Sequence, residues 1–125
     1  MSSGLGVVTE SSVSQTAQMP RMEWQIQLRP EAIRCVRSTY ARQAAAAGAV
    51  LVSFKRVPFP HVATHSTAFE LRASVGRKRP MADIVFIGRG RTNITLAVSG
   101  AQSARRIIFA EAIRLARILI GRIQA

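Results

Sequence analysis

Hydrophobic and polar residues alternate along much of the second half of the chain. Segments 69–75 and 92–98 place apolar side chains at every second position, which is the pattern of a strand with one buried face. Segment 82–87 ends in four consecutive apolar residues, so it favours a strand that is apolar on both faces. Gly88 and Gly90 follow it, where a tight reversal demands positive φ. The pattern therefore predicts three consecutive strands.

Further strands and the loops around them follow from the same reasoning. Segment 50–55 alternates and predicts a strand, whereas 56–67 contains two prolines and predicts a loop. Segment 24–28 (WQIQL) alternates and predicts a short strand, and 76–80 (GRKRP) predicts a turn. The positions expected to face the core are Val50, Val52, Phe54, Phe69, Leu71, Ala73 and Val75. Those expected to face solvent are Glu70, Arg72 and Ser74.

Two helices flank this series of strands. Pro30 and Glu31 suit the first turn of a helix, because proline lacks the N–H that would be unpaired there and glutamate complements the helix dipole. Apolar residues then recur at three- and four-residue spacing until Gly48, which suits the end of a helix. A second helix is predicted over 102–123, with a wide apolar arc and arginines on its wet side.

The order of elements predicts an α+β fold. Short links favour an antiparallel meander sheet of four to five strands, covered on one face by two helices. The 125 residues suit one domain that buries a core without disulfides or metal. Residues 1–22 are rich in polar residues without periodicity, and we expect a disordered leader there, followed by a single domain over 23–125.

A meander brings varied polar residues together at each end of its sheet. The loop 56–67 and the turn 88–91 are expected to share one end, which we call the histidine end. Its candidate binding residues are Arg56, His61, His65, Arg89 and Arg91. The turn 76–80 and the start of the last helix share the other end, which we call the hairpin end. Its candidate anion- or nucleic-acid-binding residues are Arg77, Lys78, Arg79, Arg105 and Arg106.

The sequence offers little for catalysis. His61 and His65 lie in a proline-containing loop without a neighbouring Asp, Glu or second Cys, so no metal site is expected. Asp83 is the one aspartate and the glutamates are scattered, so no carboxylate pair for acid–base work can be placed. No nucleophile elbow, phosphate loop or dinucleotide fingerprint is present. We therefore expect no enzymatic activity and no cofactor.

The basic composition favours polyanionic partners. The formal net charge is +12, from 18 basic and 6 acidic residues. Nucleic-acid binding meets this electrostatic requirement, but Phe54, Phe69 and Phe86 occupy core positions rather than an exposed stacking platform. No apolar run reaches the roughly 20 residues of a membrane span, and no export signal is visible in residues 1–20. The sequence leaves the compartment open.

Three segments carry a resemblance to a known group of domains. They are FPHVATHSTAFELRA (59–73), ADIVFIGRGRTNITLAVSG (82–100) and AEAIRLARILIGRI (110–123). The stretch from residue 28 onward resembles uncharacterised actinobacterial α/β domains of secreted proteins and lipoproteins, which are similar to the PsbP-like fold and to the extracellular sensor domain of mycobacterial receptor kinases. The shared motifs are structural, so the resemblance implies an extracytoplasmic, non-enzymatic domain and transfers no catalytic residue.

The chain departs from this group at its N-terminal side. Members of the group carry an export signal and a longer N-terminal half. The resemblance therefore implies a truncated relative or a misassigned start, with a lost disulfide partner for Cys35 and an unprotected sheet edge that could support an oligomer. Three functions stay open: binding of a small ligand, envelope component or protein at the histidine end; nucleic-acid binding at the hairpin end; and a structural remnant without a ligand.

Overall fold

A computed structural model of the protein describes residues 5–13, 29–63 and 65–122, with the backbone alone for residues 11–13. Five strands and two helices make up this part of the chain. The strands are β1 (Gly6–Val13), β2 (Val50–Val57), β3 (His65–Ser74), β4 (Pro80–Arg89) and β5 (Thr92–Ala101). The helices are α1 (Pro30–Ala46) and α2 (Arg105–Gly121), the latter preceded by a short 3-10 turn, Gln102–Ala104.

The strands form one antiparallel sheet in the order β1-β5-β4-β3-β2. Strands β2 to β5 are consecutive in both sequence and space, as expected for hairpin-connected strands. The predicted α+β fold with an antiparallel meander sheet is therefore confirmed. Neither α1 nor α2, the helices within the described residues, has the length and apolar character that spanning a bilayer requires.

Strand β1 corrects the prediction of a disordered leader over 1–22. Gly6–Val13 pairs with β5 along its whole length, with Val7 opposite Val98. Most of this outer strand faces water, and Val8 is 63% exposed. A strand without a buried face does not need apolar residues at alternate positions. Its backbone groups pair with those of β5, which stabilises a strand that side-chain periodicity does not reveal. The predicted strand 24–28 lies outside the described residues.

The two helices pack on opposite faces of the sheet. Neighbouring residues of a strand point to opposite faces, and in β4 Ile84 packs with Ile33 and Tyr40 of α1, whereas Val85 packs with Ile108 of α2. The expectation that both helices cover one face thus differs from the structure. The run of apolar residues in β4 explains the arrangement, because a strand that is apolar on both faces needs a cover on each.

A β-bulge changes which residues of β2 face the core. Leu51 pairs with Ala73 and Ser53 with Arg72, so Val52 is the extra residue between them. Phe54 remains buried, but Val50 and Val52 are 65% and 55% exposed at the outer edge of the sheet. The expectation that Val50 and Val52 face the core was therefore wrong. Association through this edge stays a prediction.

The loops are shorter than the composition suggests. Strand β2 continues through Val57 and β3 already begins at His65, so the predicted loop 56–67 is confined to 58–64. At the opposite end, Gln102 fixes the 3-10 turn to the sheet: its side-chain amide donates to the carbonyl oxygens of Ala73 (3.1 Å) and Pro80 (3.3 Å). These bonds set the point at which α2 begins.

Candidate functional site

The residues of the histidine end share one end of the sheet but not one surface. His65 pairs with Gly88, which places the loop 58–64 and the turn after β4 side by side. His65 and Arg56 lie on the α1 face of the sheet, since Arg56 pairs with Phe69. His61 is exposed in the loop and Arg91 is exposed in the turn. The structure therefore distributes these side chains around the end of the sheet.

Arg89 points to the other face and contacts α2. Its guanidinium donates a hydrogen bond to the carbonyl oxygen of Ile120, at 3.3 Å. Carbonyl groups in the last turn of a helix lack partners within the helix, and a cation there is favoured by the helix dipole. Arg89 thus helps to fix the end of α2 to the sheet, which is a structural role.

The five cations of the hairpin end are all exposed. The β3–β4 turn and the start of α2 are held together by the hydrogen bond that the backbone N–H of Gln102 donates to the carbonyl oxygen of Arg79, at 2.8 Å. The Arg79 guanidinium donates back to the carbonyl oxygens of Gly76 and Lys78, both at 3.0 Å. The predicted juxtaposition of the turn with the helix start is therefore present.

The structure also places a carboxylate pair that sequence reasoning missed. Glu70 of β3 and Asp83 of β4 are direct cross-strand partners on the α2 face. They are 8% and 1% exposed, respectively. The expectation that Glu70 faces solvent was wrong, because Glu70 is buried beside Asp83 on the α2 face. The sequence did contain a signal for this pair, because folding the chain about the turn at 76–77 brings position 70 opposite position 83.

The two carboxyl groups have different surroundings. Glu70 accepts a hydrogen bond from Nε of Arg72 at 2.8 Å, which stabilises its negative charge. Neither carboxyl oxygen of Asp83 has a hydrogen-bond partner among the described residues. Burial, and secondarily the charge of Glu70, raises the pKa of Asp83 to about 6. The pair therefore combines a carboxylate that is held by Arg72 with a buried carboxyl group whose pKa is raised to about 6.

Glu70 also lines an open groove of about 490 Å³ between α2 and the end of β2. The groove exists because α2 lies over β4 and β5 and leaves the neighbouring part of the sheet uncovered. We call it the α2–β2 groove. Its lining residues are Val57, Pro58, Glu70, Arg105, Arg106, Phe109, Ala110 and Ile113. The ring of Phe59 packs edge-on against Phe109, with centroids 5.9 Å apart, and supports the wall of the groove.

A second depression, of about 630 Å³, adjoins the groove at the start of α2. Its lining is more polar and includes Arg72, Gln102 and Ser103. Arg105 and Arg106 line both depressions and so form their common border. An apolar surface and a cationic surface thus meet at the first turn of α2.

Comparison of the chain with protein-family models, with curated proteins and with solved structures found no match. The resemblance described above therefore stays a prediction. Within residues 5–13, 29–63 and 65–122, no group of three or more His, Cys, Asp or Glu side chains is arranged to hold a metal ion.

Proposed function

We propose that the protein is a non-enzymatic binding domain that takes a small, largely apolar molecule in the α2–β2 groove. The observation that carries this proposal is the exposed apolar lining of a concave surface, contributed mainly by Val57, Pro58, Phe109 and Ile113. Small-molecule sites are concave and mostly apolar, with a few polar groups that orient the ligand. The groove has both properties, whereas the residues of the histidine end lie on different faces.

The surroundings of Glu70 and Asp83 favour a binding role for the groove over acid–base catalysis. A general acid or base must come within hydrogen-bond reach of its substrate. Asp83, whose pKa is raised to about 6, is 1% exposed and lies beneath α2. Glu70 reaches the groove but is engaged by Arg72. The carboxyl group that lines the groove is thus held by a cation, and the one whose pKa is raised is shielded by α2.

A neutral fluorescent probe tests the groove directly. We expect N-phenyl-1-naphthylamine to bind with a single saturable site, because its apolar rings match the lining. Replacing Ala110, an exposed groove residue, by tryptophan fills the groove and should weaken probe binding by at least about tenfold, or about 1.4 kcal/mol. Fluorescence titration of both proteins measures the change.

Ala45→Trp provides the matched control, since Ala45 is an exposed residue of the other helix, α1. This variant should bind the probe like the wild type. The proposal is refuted if the wild type does not bind the probe, or if Ala110→Trp and Ala45→Trp have equal effects.

Nucleic-acid binding at the hairpin end is the second candidate, and the exposure of its five cations favours it. The aromatic rings do not add to it: Phe54 stacks on Phe69 at 5.0 Å, and Phe86 packs edge-on against Phe69 in the cluster beside α1. This candidate therefore rests on electrostatic attraction alone, which predicts sequence-independent and strongly salt-dependent binding.

A salt titration with random single-stranded oligonucleotides separates the two candidates. If the hairpin end binds nucleic acid, the logarithm of the affinity falls steeply with the logarithm of the salt concentration. Arg77→Ala with Arg79→Ala then reduces that slope by about 1.4, or about 0.7 for each phosphate that an arginine no longer neutralises. Absence of binding at low salt would eliminate this candidate and leave the groove proposal intact.

A further inference from the structure

We infer that the ligand of the α2–β2 groove is a free amphiphile with a single apolar chain and an anionic head group, and that the head group binds at Arg105 and Arg106. The inference rests on the proposed function and adds the chemical class of the ligand. Its basis is the junction of two surfaces at the first turn of α2, one apolar and one cationic.

The charges of Arg105 and Arg106 are not neutralised by an ion pair among the described residues, where the ion pairs are Arg72–Glu70 and Arg114–Glu111. The first turn of α2 carries no acidic residue and receives no side-chain cap. The positive end of the helix dipole therefore adds to the two guanidinium charges. An anionic group complements all of these charges.

Glu70 is the one charge in the groove that opposes an anion. Its carboxylate is paired with Arg72 at 2.8 Å, and Arg72 also lines the cationic depression. The four charged residues around the junction are thus three arginines and one glutamate, with a net charge of +2 from three positive charges and one negative charge. The local field therefore still favours an anion over a cation or a neutral polar group.

The apolar part of the groove sets the approximate length of the chain. It follows α2 from Arg106 to Ile113, which is about 10 Å at 1.5 Å per residue. An extended chain of about eight to ten carbons covers this distance. The groove volume of about 490 Å³ also lies in the range of small-molecule sites, about 300–1,000 Å³. A medium-chain carboxylate such as decanoate is therefore the matching probe.

Three ten-carbon ligands that differ only in the head group test the inference. Decanoate, decanol and decylamine are titrated, below their micelle-forming concentrations, against protein loaded with N-phenyl-1-naphthylamine, and decanoate binding is also measured directly by thermal shift. We expect decanoate to bind at least about tenfold more tightly than decanol, because charge-assisted hydrogen bonds to arginine are added, and decylamine to bind most weakly.

The double variant Arg105→Gln with Arg106→Gln locates the head group. It should lose the preference for decanoate over decanol while keeping its affinity for decanol. Glutamine is a good helix former, so α2 should be retained. The double variant Arg77→Gln with Arg79→Gln removes the same charge from the β3–β4 turn and should keep the preference.

Each other outcome contradicts the inference in a distinguishable way. If the neutral probe binds and decanoate and decanol compete equally, the groove binds apolar molecules but the head-group assignment is wrong. If neither the probe nor decanoate binds in the direct measurement, the groove proposal fails as well. If decanoate does not bind but the protein sediments with phosphatidylglycerol vesicles in a manner that depends on Arg105 and Arg106, the surface contacts membranes and the free-ligand assignment is overturned.

Discussion

Replacing Ile108 by alanine should lower the free energy of unfolding by about 2–5 kcal/mol, whereas the same replacement at Ile107 should change it by less than about 0.5 kcal/mol. Ile108 is fully buried in the core between α2 and the sheet, and Ile107 is 59% exposed. The side chain of Ile108 lies over Gly100: a Cβ atom added to Gly100 would come within 3.1 Å of the Cδ1 atom of Ile108. Truncation there removes apolar contacts and leaves a cavity.

The two isoleucines form a matched pair. They are adjacent in one helix, so the gain in helix propensity from Ile to Ala is the same at both positions, and the difference between the variants isolates burial. Urea unfolding followed by circular dichroism measures both free energies, and unchanged m-values would show that the unfolded ensembles are comparable. Equal effects at the two positions would mean that α2 does not present this face to the sheet.

The three central strands could be predicted because their information is local. Segments 69–75, 82–87 and 92–98 alternate or are continuously apolar, and short turns connect them. The helix bounds were also close to those observed, since Pro30 and Gly48 mark the ends of α1. Local periodicity and turn chemistry were therefore sufficient for the fold class and for the order of strands β2 to β5.

The features that sequence reasoning missed depend on distant pairing. Strand β1 is stabilised by β5, which follows more than 75 residues later in the chain, and a polar outer strand carries no periodic signal of its own. The bulge at Val52 shifts the register of β2 against β3, and a regular alternation pattern gives no indication of it. The placement of the helices on opposite faces could have been inferred from Ile84 and Val85, which need cover on different sides.

Only part of the candidate site could be predicted from the sequence. The exposure of Arg106 was predictable from the helical wheel, because Arg106 lies on the arginine-lined wet arc of α2. The exposure of Arg105 was not, because Arg105 lies three residues before the buried Ile108, on the apolar side of the wheel. The α2–β2 groove was not, because it depends on how far α2 extends across the sheet. The pairing of Glu70 with Asp83 follows from the symmetry of the β3–β4 hairpin, but treating β3 as a strand with one wet face concealed it.

Replacing Asp83 by asparagine should stabilise the protein above pH 6, which is the second large effect that we expect. The pKa of Asp83 is raised to about 6 in the folded protein, from an ordinary value of 3.8. The folded protein therefore holds this proton more tightly than the unfolded chain does, and stability falls as the pH rises from about 4 to about 6. The difference between the two pKa values corresponds to about 3 kcal/mol, present in full above about pH 7.

Asparagine does not titrate at position 83. The free energy of unfolding of the variant should therefore equal that of the wild type below pH 4 and exceed it by as much as about 3 kcal/mol by pH 8. Urea unfolding at several pH values gives the difference between the two proteins, in which the titration of other carboxyl groups cancels. Glu70→Gln offers an independent test, because removing the neighbouring negative charge should lower the pKa of Asp83 and reduce the same loss of stability.

Glu111→Gln serves as the control, because it also removes one carboxylate, but at a position where the pKa is lowered rather than raised. The hydrogen bond from Arg114 lowers the pKa of Glu111, so this carboxylate stabilises the fold above its ordinary pKa and ceases to do so as the pH falls. The glutamine variant should therefore lose stability at pH 8, where the asparagine variant at position 83 gains it. If the two variants changed stability with the same sign, net charge rather than the burial of Asp83 would govern the pH dependence. Opposite signs would identify Asp83 as a carboxyl group that the sheet and α2 bury at a cost in stability, directly behind the groove residue Glu70.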